Sequence, residues 1–246
     1  MDVLVLQHIA CEPPGAYEDV LRERGARIKR IELDEGETLP DWRGFDAIVA
    51  MGGPMSVNDD ASLPWLAGEK GTIADAVRAG VPFWGACLGV QLLASALGAR
   101  VYTGPAPEVG VLPVTLTEEA LADPVLAGLP RDLISFQWHS DTFDLPEGAV
   151  RLASSPAYEN QAFRWGRRAY GVQFHLEVSP EMAAEWADVP EYAAALERTL
   201  GGDAAERLLA DVAARSGEMQ SHGRRMFGRW LELASEDSRK QAAEAG

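Results

Sequence analysis

The sequence predicts an α/β fold built on a doubly wound, mostly parallel sheet with helices on both faces. Short apolar runs alternate with segments of helical periodicity over about the first hundred residues, a pattern typical of parallel strands joined by crossover helices. The middle of the chain changes to short extended runs separated by Pro and Gly, and the last part has helical periodicity. We therefore expect added strands, partly antiparallel, and a helical C-terminal extension.

Each element of the first part follows from its periodicity. Strands are short and apolar, whereas helices repeat apolar residues every three to four positions. In chain order, the predicted elements are a strand at 3–6, a helix at 16–24, strands at 27–32 and 45–50, a helix at 65–78, a strand at 81–84 and a helix at 88–97.

The later elements are predicted from chain breakers and caps. Ser179 followed by Pro180 supplies an N-cap with proline at the first helical position. No repeat or long linker divides the chain, so we expect one domain over 1–234, with the helical extension at 180–234 and a disordered polar tail at 235–246. The added strands are predicted at 111–117, 134–138, 150–154, 160–164 and 168–174.

The last helical segment carries an apolar face at helical spacing. Such a face either packs on the protein's own core or joins an interface with a partner, and packing on the core is the simpler interpretation. Its residues are Met226, Phe227, Trp230 and Leu231.

Composition and charge limit the partners of this chain. Its 246 residues carry a formal net charge of -16, from 38 acidic and 22 basic residues, and this field repels phosphate backbones and anionic membranes. No apolar run approaches the roughly 18 residues of a spanning helix, and the segment from Met1 to Leu6 lacks a basic leader. We expect a cytoplasmic protein that binds neither nucleic acid nor membrane.

Cysteine and histidine usage gives no indication of a disulfide framework or a metal site. Cys11 and Cys87 are far apart in the sequence, and the four histidines lack ligand spacing with them. Neither a metal nor a cofactor is expected.

The strongest functional pattern surrounds Cys87. An apolar strand runs into Gly85-Ala86-Cys87-Leu88-Gly89 and then into a helix, which is the pattern of a nucleophile elbow. The sharp turn needs small neighbours, and the N-terminus of the helix favours thiolate over thiol. A cysteine in apolar sequence is by itself more often an inert buried residue, but this context indicates a reactive nucleophile.

A second pattern supplies an acid–base partner. In the apolar segment ending in Phe174-His175-Leu176-Glu177, the two-residue period of a strand places His175 and Glu177 on one face. Glu177 can accept from one imidazole nitrogen and leave the other facing Cys87. The alternative is a structural histidine at a strand end, and the presence of Cys87 favours a Cys-His-Glu triad.

A third pattern is a strand that ends in Gly52-Gly53-Pro54. Exposed backbone N–H groups in such a loop can stabilise an oxyanion. The same residues also occur in ordinary turns, so the significance of this loop depends on the other two patterns.

Together the three segments resemble the class I glutamine amidotransferases over about residues 1–179. That family carries a Gly-Gly oxyanion loop, a Gly-x-Cys-x-Gly-x-Gln elbow and a late His-x-Glu. We expect a flavodoxin-like core with these segments converging at the carboxyl ends of the strands. The resemblance implies Cys87 as nucleophile, His175 as its acid–base partner, Glu177 as the orienting acid, and Gly53 and Leu88 as backbone oxyanion donors.

The resemblance also implies residues that hold the substrate. Gln91 matches the glutamine-binding side chain of the family, and it lies one helical turn beyond Cys87 on the same face. Trp138, His139 and Ser140 match a second substrate-holding segment, although a Trp-His pair after an apolar strand is at least as often involved in packing.

Within the family, the sequence is most similar to the stand-alone, GMP-synthase-like glutaminase group. One departure is Leu176, where many relatives have proline, but this residue is expected to face away from the site. The segments that carry the similarity are Gln7-His8, Glu12-Pro13-Pro14-Gly15, Pro64-Trp65-Leu66, Trp138-His139-Ser140-Asp141 and Asn160-Gln161-Ala162-Phe163.

The predicted function is release of ammonia from the side-chain amide of glutamine through a cysteinyl γ-glutamyl thioester. Because the chain shows no phosphate-binding loop or second catalytic module, the acceptor of ammonia is predicted to be a separate synthetase. A γ-glutamyl peptide hydrolase could use the same triad, since its substrate carries the same acyl group. A further alternative is a non-catalytic binding module that keeps the fold.

Overall fold

In the described part of the chain, nine strands form one mixed sheet, in the order β2-β1-β3-β4-β9-β8-β7-β5-β6. This computed structural model describes residues 1–201 and 204–236. The strands are β1 Asp2–Gln7, β2 Arg27–Glu32, β3 Ala47–Ala50, β4 Phe83–Ala86, β5 Val101–Leu116, β6 Asp132–Phe143, β7 Ala149–Ser154, β8 Ala162–Trp165 and β9 Ala169–Val172. The helices are α1 Ala16–Glu23, α2 Trp65–Arg78, α3 Leu88–Ala96, α4 Glu118–Ala122, α5 Pro180–Ala187, α6 Pro190–Leu200 and α7 Ala204–Ala234.

The parallel half of the sheet is doubly wound, which confirms the predicted fold class. Strands β2, β1, β3, β4 and β9 pair in parallel, the order of a flavodoxin-like sheet with β9 as its fifth strand.

Strand β1 shows how the sequence builds two cores. Val3 and Val5 face one apolar layer with α1 and α7, whereas Leu4 and Leu6 face another with α2 and α3, because successive side chains point to opposite faces.

The antiparallel half curls back toward the parallel half. Strands β8, β7, β5 and β6 follow β9 in antiparallel pairing. In addition to these strand pairs, Phe136 of β6 forms an isolated β-bridge with His175, which follows β9 in the chain. The two backbones exchange hydrogen bonds of 2.8 and 3.0 Å. This bridge brings β6 over the carboxyl end of the parallel strands.

Several predicted bounds were wrong, and the long β5–β6 hairpin accounts for most of the difference. The two strands pair from Val101 with Phe143 to Thr115 with Asp132, with an irregularity between Thr103 and Glu108. The prolines in this stretch suggested that the strands would be interrupted, but a strand with a bulge tolerates proline. Helix α4 was missed altogether, although Thr117 caps it by accepting from the Ala120 N–H.

The C-terminal helices pack on the sheet's own core. Met226, Phe227, Trp230 and Leu231 are buried, and the Phe227 ring stacks on Tyr17 of α1 at 4.7 Å between centroids. The apolar face of α7 therefore belongs to the core and is not free for a partner. The predicted N-cap is present, since the Ser179 hydroxyl accepts from the Met182 N–H.

Part of the predicted polar tail, residues 237–246, lies outside the described residues. Over 1–201 and 204–236, no helix combines the length and apolar character that crossing a bilayer requires.

The close packing of α3 on β4 generates a stability prediction. A Cβ on Gly85 would lie 2.5 Å from the backbone of Gly89, so the helix would have to move away from the strand. We expect Gly85→Ala to lower the free energy of unfolding by about 1–3 kcal/mol, as overpacking does. Chemical denaturation followed by circular dichroism measures this change.

Gly71→Ala is the matched control, because a Cβ there meets nothing within 4 Å in the middle of α2. Removing a helical glycine should raise stability by up to about 1 kcal/mol. Equal denaturation midpoints for Gly85→Ala and the unaltered protein would contradict the claim that α3 packs too closely on β4 to admit a side chain at position 85.

Candidate active site

Cys87 occupies a sharp turn between β4 and α3. Among the described residues it alone, glycines apart, has a positive φ, of 53°. Its N–H donates to the Val172 carbonyl at 2.8 Å, and its own carbonyl accepts from Val90 at 3.1 Å. A Cβ on Gly89 would lie 2.2 Å from the Ala50 carbonyl oxygen. Glycine at this position therefore lets the helix start against β3, and the strand-turn-helix geometry of a nucleophile elbow results.

His175 and Glu177 form a buried pair beside this turn, each about 1% exposed. Nδ1 of His175 lies 2.7 Å from Oε1 of Glu177, and the other carboxylate oxygen accepts from the Leu176 N–H at 3.0 Å. The ring packs edge-on against Trp186 of α5 at 4.7 Å. Because an ionised carboxylate only accepts, Nδ1 carries a proton and Nε2 is left for the site.

The local structure that presents this pair differs from the one predicted. Strand β9 ends at Val172, short of the expected residue 174, because the chain leaves the parallel sheet and bridges to Phe136 instead. His175 and Glu177 are therefore not on one face of a regular strand, although they contact each other. Leu176 is buried as expected, and it abuts Gly223 of α7, where a Cβ would lie 2.8 Å away.

Cys87 and His175 interact across a buried space. Nε2 of His175 makes no hydrogen bond of good geometry with any described residue, but it lies near enough to the Cys87 sulfur to affect the pKa of both groups. Burial raises the pKa of the Cys87 thiol, and His175 opposes the rise in part. Burial alone would lower the pKa of His175, but Glu177 and Cys87 raise it well above its ordinary value.

These shifts correct one expectation. The sequence predicted a thiol acidified by the N-terminus of α3, whereas the pKa of Cys87 is raised, because the residue is only 6% exposed and burial disfavours the charged form. Burial therefore disfavours the thiolate, and the protonated imidazole, which Glu177 stabilises, is the group that opposes this effect. The thiol must lose its proton before the sulfur can attack.

The predicted oxyanion donors lie beside Cys87. Gly53 and Leu88 line the same cavity as the thiol. Neither N–H has a hydrogen-bond partner within the described parts of the chain. Unpaired N–H groups at a helix start and a glycine loop are suited to bind developing negative charge.

Gln91 lines the cavity, but its amide is already engaged. Its Nε2 donates to Oε1 of Gln173 at 3.1 Å and to the Asp141 carbonyl at 3.4 Å. Gln173 in turn directs its own Nε2 at the Cys87 sulfur, at 3.5 Å. Gln173 was not predicted as part of the site, although its position two residues before His175 was an available signal in the sequence.

Trp138, His139 and Ser140 all line the cavity, yet the first two have structural contacts as well. Trp138 is 3% exposed and donates to the Tyr192 carbonyl at 3.3 Å. His139 uses one ring nitrogen on the Asp141 carbonyl, at 3.0 Å, and the other on Glu108, at 3.2 Å. Trp138 and His139 therefore have structural roles as well as lining the cavity, as the alternative interpretation of the sequence allowed.

The cavity above Cys87 has a volume of about 300 Å³, at the small end of the range for ligand sites. Helix α6 contributes one wall through residues that share a helical face, and the elbow, the loop after β3 and strand β6 supply the others. His175 and Glu177 are not part of its lining. The α6 residues are Glu191, Tyr192, Ala195 and Arg198.

Glu12 and Tyr192 form a second buried pair, which was not predicted from the sequence as part of the site. The Tyr192 hydroxyl donates to Oε1 of Glu12, and Oε2 of Glu12 lies where a Cβ of Gly52 would be. Burial raises the pKa of Glu12, which His175 and the Tyr192 hydroxyl oppose. In the sequence, Glu12 belongs to one of the segments that resemble the family, but no pattern indicated a role for Tyr192.

Within the described residues, no group of three or more His, Cys, Asp or Glu side chains has the arrangement of a metal site. The polar groups around the cavity are instead a thiol, an imidazole, carboxylates, amides and backbone N–H groups. This set of groups is typical of enzymes that use a cysteine nucleophile.

Comparison with known proteins identifies the family. The family model for class-I glutamine amidotransferases matches residues 16–186, more than half of the chain. The chain therefore belongs to the class-I glutamine amidotransferase family.

Two relatives and two solved structures illustrate the similarity. The chain is 36% identical over 185 residues to the glutamine amidotransferase-like protein YfeJ of Salmonella typhimurium, covering 74% of this chain and 77% of that protein. It is 34% identical over 161 residues to a subunit of the glutamine-hydrolyzing GMP synthase of Thermoplasma volcanium, covering 65% and 75%. Glutamine amidotransferase structures from Thermotoga maritima and Methylobacillus flagellatus superpose with TM-scores of 0.84 and 0.85, at 32% and 31% identity. These two alignments cover 94% of this chain and 98% and 94% of the respective structures.

The electrostatics of the site generate a pH prediction. Since the Glu177 carboxylate raises the pKa of His175, Glu177→Gln should let the imidazole lose its proton at lower pH. We expect the rise of Cys87 alkylation with pH to move to higher pH in this variant, because a neutral imidazole no longer offsets the effect of burial on the pKa of the thiol. Iodoacetamide modification, followed by mass spectrometry from pH 5 to 10, measures the shift.

The assay uses a Cys11→Ser background, because the half-buried Cys11 thiol, with a pKa raised by burial to about 11, is a second site of alkylation at the alkaline end of the range. Glu191→Gln is the matched control, since it removes an exposed carboxylate from the cavity wall. A shift to lower pH in Glu177→Gln, or an equal shift in Glu191→Gln, would contradict the assigned electrostatics.

Proposed function

We propose that this chain is a glutaminase that releases ammonia from the side-chain amide of glutamine through a Cys87–His175–Glu177 triad. The observation that carries the proposal is the proximity of the Cys87 sulfur to His175, whose other ring nitrogen is 2.7 Å from Glu177. A nucleophile, a base and an orienting acid in this order form the minimal unit for acyl transfer.

The reaction begins when the pair loses a proton and the Cys87 sulfur attacks the amide carbon of glutamine. A carbon–sulfur bond forms, and the carbonyl oxygen becomes an oxyanion. Nε2 of His175 then protonates the departing nitrogen, the carbon–nitrogen bond breaks, and ammonia leaves a γ-glutamyl thioester. His175 next takes a proton from water, which attacks the thioester and releases glutamate and the thiolate.

The N–H groups of Gly53 and Leu88 are proposed as the donors that stabilise both oxyanions. Neither has another hydrogen-bond partner among the described residues, and both line the cavity with Cys87. Donors that are in place before charge develops lower the barrier without reorganisation. Gln91, Trp138, His139 and Ser140 are proposed to complete the wall that holds the substrate.

The cavity favours a free amino acid over a peptide. Its volume of about 300 Å³ is small for a ligand site, and α6 closes one side. Two exposed side chains of opposite sign, Glu191 and Arg198, line the same cavity and are suited to bind the α-carboxylate and α-ammonium groups, which glutamine and a γ-glutamyl peptide share. A γ-glutamyl peptide shares the acyl group but needs room for a larger leaving group, so hydrolysis of such peptides is the alternative function.

The proposed acceptor of ammonia is a synthetase on another polypeptide. Several relatives are named as subunits of a glutamine-hydrolyzing GMP synthase, and the sequence shows no phosphate-binding loop. Ammonia is largely protonated near neutral pH, so direct delivery to an acceptor would preserve its nucleophilicity. The surface around the cavity, including the exposed side of α6, is where such a partner would dock.

Cys87→Ala tests the nucleophile. Removing the sulfur eliminates the thioester route, so glutaminase turnover should fall by about 10⁴-fold or more, with the unfolding midpoint retained. Coupled detection of ammonia measures turnover, and Cys11→Ser serves as the matched cysteine control. Substantial turnover by Cys87→Ala would exclude Cys87 as the nucleophile.

A comparison of donors tests the substrate. Ammonia release from glutamine and amine release from γ-glutamyl peptides are measured on one preparation, with and without a synthetase recovered by co-purification from native extract. We expect kcat/KM to be higher for glutamine, and the partner to raise it further. Faster cleavage of γ-glutamyl peptides, together with no recovered partner, would replace the amidotransferase proposal by the hydrolase. Inactivity on both donors would favour the non-catalytic module.

A further inference from the structure

His8 is a fully buried histidine that the proposed triad does not use. It follows β1 at the carboxyl edge of the sheet and is 0% exposed. Nδ1 lies 3.2 Å from the Gly52 carbonyl oxygen, and Nε2 lies 2.9 Å from Oε1 of Glu69 on α2. The ring also stacks on Trp65 at 5.8 Å. Both nitrogens of His8 are therefore committed, one to a side chain and one to the glycine loop.

The partners of His8 determine where its proton lies. A carbonyl oxygen can only accept, so the contact with Gly52 requires a proton on Nδ1. This holds whether the second proton of the pair resides on Nε2 or on Glu69. His8 is thus a fixed donor to the Gly52 carbonyl in either protonation state of the pair.

The bonded carbonyl belongs to the same peptide unit as the Gly53 N–H. No cis peptide bond occurs in the described residues, and in a planar trans peptide the C=O and N–H point in opposite directions. Fixing the Gly52 oxygen toward His8 consequently aims the Gly53 N–H away from His8. That N–H has no other partner in the described chain, and Gly53 lines the cavity with Cys87.

The Gly52–Gly53 loop has no room for side chains, and two glycines leave its backbone flexible unless another part of the protein restrains it. A Cβ on Gly52 would lie 1.9 Å from Oε2 of the buried Glu12, and one on Gly53 would lie 2.9 Å from Cβ of His8. Two consecutive glycines are required for space, yet glycine has the greatest backbone freedom. A buried hydrogen bond to the intervening peptide would remove that freedom.

We propose that His8, held by Glu69, is a positioning residue that orients the Gly52–Gly53 peptide so that the Gly53 N–H faces the oxyanion. The inference rests on the proposed function, because an oxyanion forms only if Cys87 attacks an acyl group. It extends that function by assigning a role to a second buried histidine–carboxylate pair. His8 touches neither substrate nor sulfur in this role and acts only through the peptide.

The electrostatics of His8 are consistent with a strong donor. Burial would lower its pKa, but the Glu69 carboxylate outweighs this and raises it, with further contributions from the Gly52 carbonyl and Glu12. A hydrogen bond from a charged donor to a carbonyl polarises the peptide and strengthens its N–H as a donor.

Two double variants isolate the hydrogen bond. His8→Leu/Glu69→Met removes the donor and its carboxylate together, so that no buried charge is left unpaired. His8→Asn/Glu69→Met makes the same change at Glu69 but retains an N–H donor, since the amide nitrogen of asparagine is bonded to Cγ, as Nδ1 of histidine is. Of the two variants, only the one with asparagine at position 8 can donate a hydrogen bond to the Gly52 carbonyl.

We expect kcat for glutamine hydrolysis to fall about ten- to a hundredfold in His8→Leu/Glu69→Met, with KM changed less than about threefold. His8→Asn/Glu69→Met should recover about tenfold of the loss. Iodoacetamide alkylation of Cys87 in the Cys11→Ser background should stay within about twofold of the reference, because displacement of iodide forms no oxyanion. Tyr170→Phe, which removes a distant buried hydrogen bond to Asp123, is the control for general loosening and should keep its kcat.

Equal kcat values in the leucine and asparagine variants would overturn the inference, and so would a parallel loss of alkylation. Glu69→Gln provides the measurement if neither double variant folds: kcat should fall about two- to tenfold at constant KM, and an unchanged kcat overturns the inference. Failure of the proposed function is recognised separately, since the unaltered protein would then release no ammonia from glutamine or would cleave γ-glutamyl peptides faster than glutamine. If the unaltered protein hydrolyses glutamine and the His8→Leu/Glu69→Met variant has the same kcat, the role of His8 is wrong but the proposed function stands.

Discussion

The tight turn at Cys87 is the constraint on which the rest of the site depends. A non-glycine residue with φ of 53° is unfavourable unless its surroundings fix it. Here the Val172 carbonyl holds its N–H, and the glycines at 85 and 89 let α3 start in contact with β3 and β4. The strain is thus compensated by packing, and it places the thiol at the start of a helix with an unpaired N–H beside it.

The curled sheet supplies the second part of the geometry. A parallel sheet alone would bring the ends of β3, β4 and β9 together, but one wall of the cavity comes from β6, which lies at the opposite end of the sheet order from β2. The bridge between Phe136 and His175 joins β6 to the segment after β9. One backbone contact therefore fixes the imidazole and sets Trp138, His139 and Ser140 along the same cavity.

The sequence predicted what local patterns encode. The alternation of apolar strands and helices predicted the doubly wound core, because burial on both faces leaves a strong signal in composition and spacing. The turn at Cys87 was also predictable, because small residues are needed there. The hairpin of β5 and β6 was not, since its prolines suggested interruption and its pairing depends on contacts distant in sequence.

The same distinction applies to the residues of the site. His175 and Glu177 are close in sequence, and their contact was predicted although the regular strand was not. The partners of His8 and Glu12 are 61 and 180 residues away respectively, so no spacing could reveal them. The pKa of Cys87 was predicted in the wrong direction because burial of the thiol is a tertiary property.

Three buried carboxylates explain why these distant parts hold one geometry. Glu177 pairs with His175, Glu69 with His8, and Glu12 with Tyr192. Removing a carboxyl group from water is costly unless a hydrogen-bond partner compensates, so each acid favours the arrangement in which its partner is in place. The three pairs respectively join the chain after β9 to itself, the loop after β1 to α2, and that same loop to α6. Folding of the core and alignment of the site are thereby coupled, because the energetic cost of three buried acids is offset only when the loops and the wall of the cavity are correctly assembled.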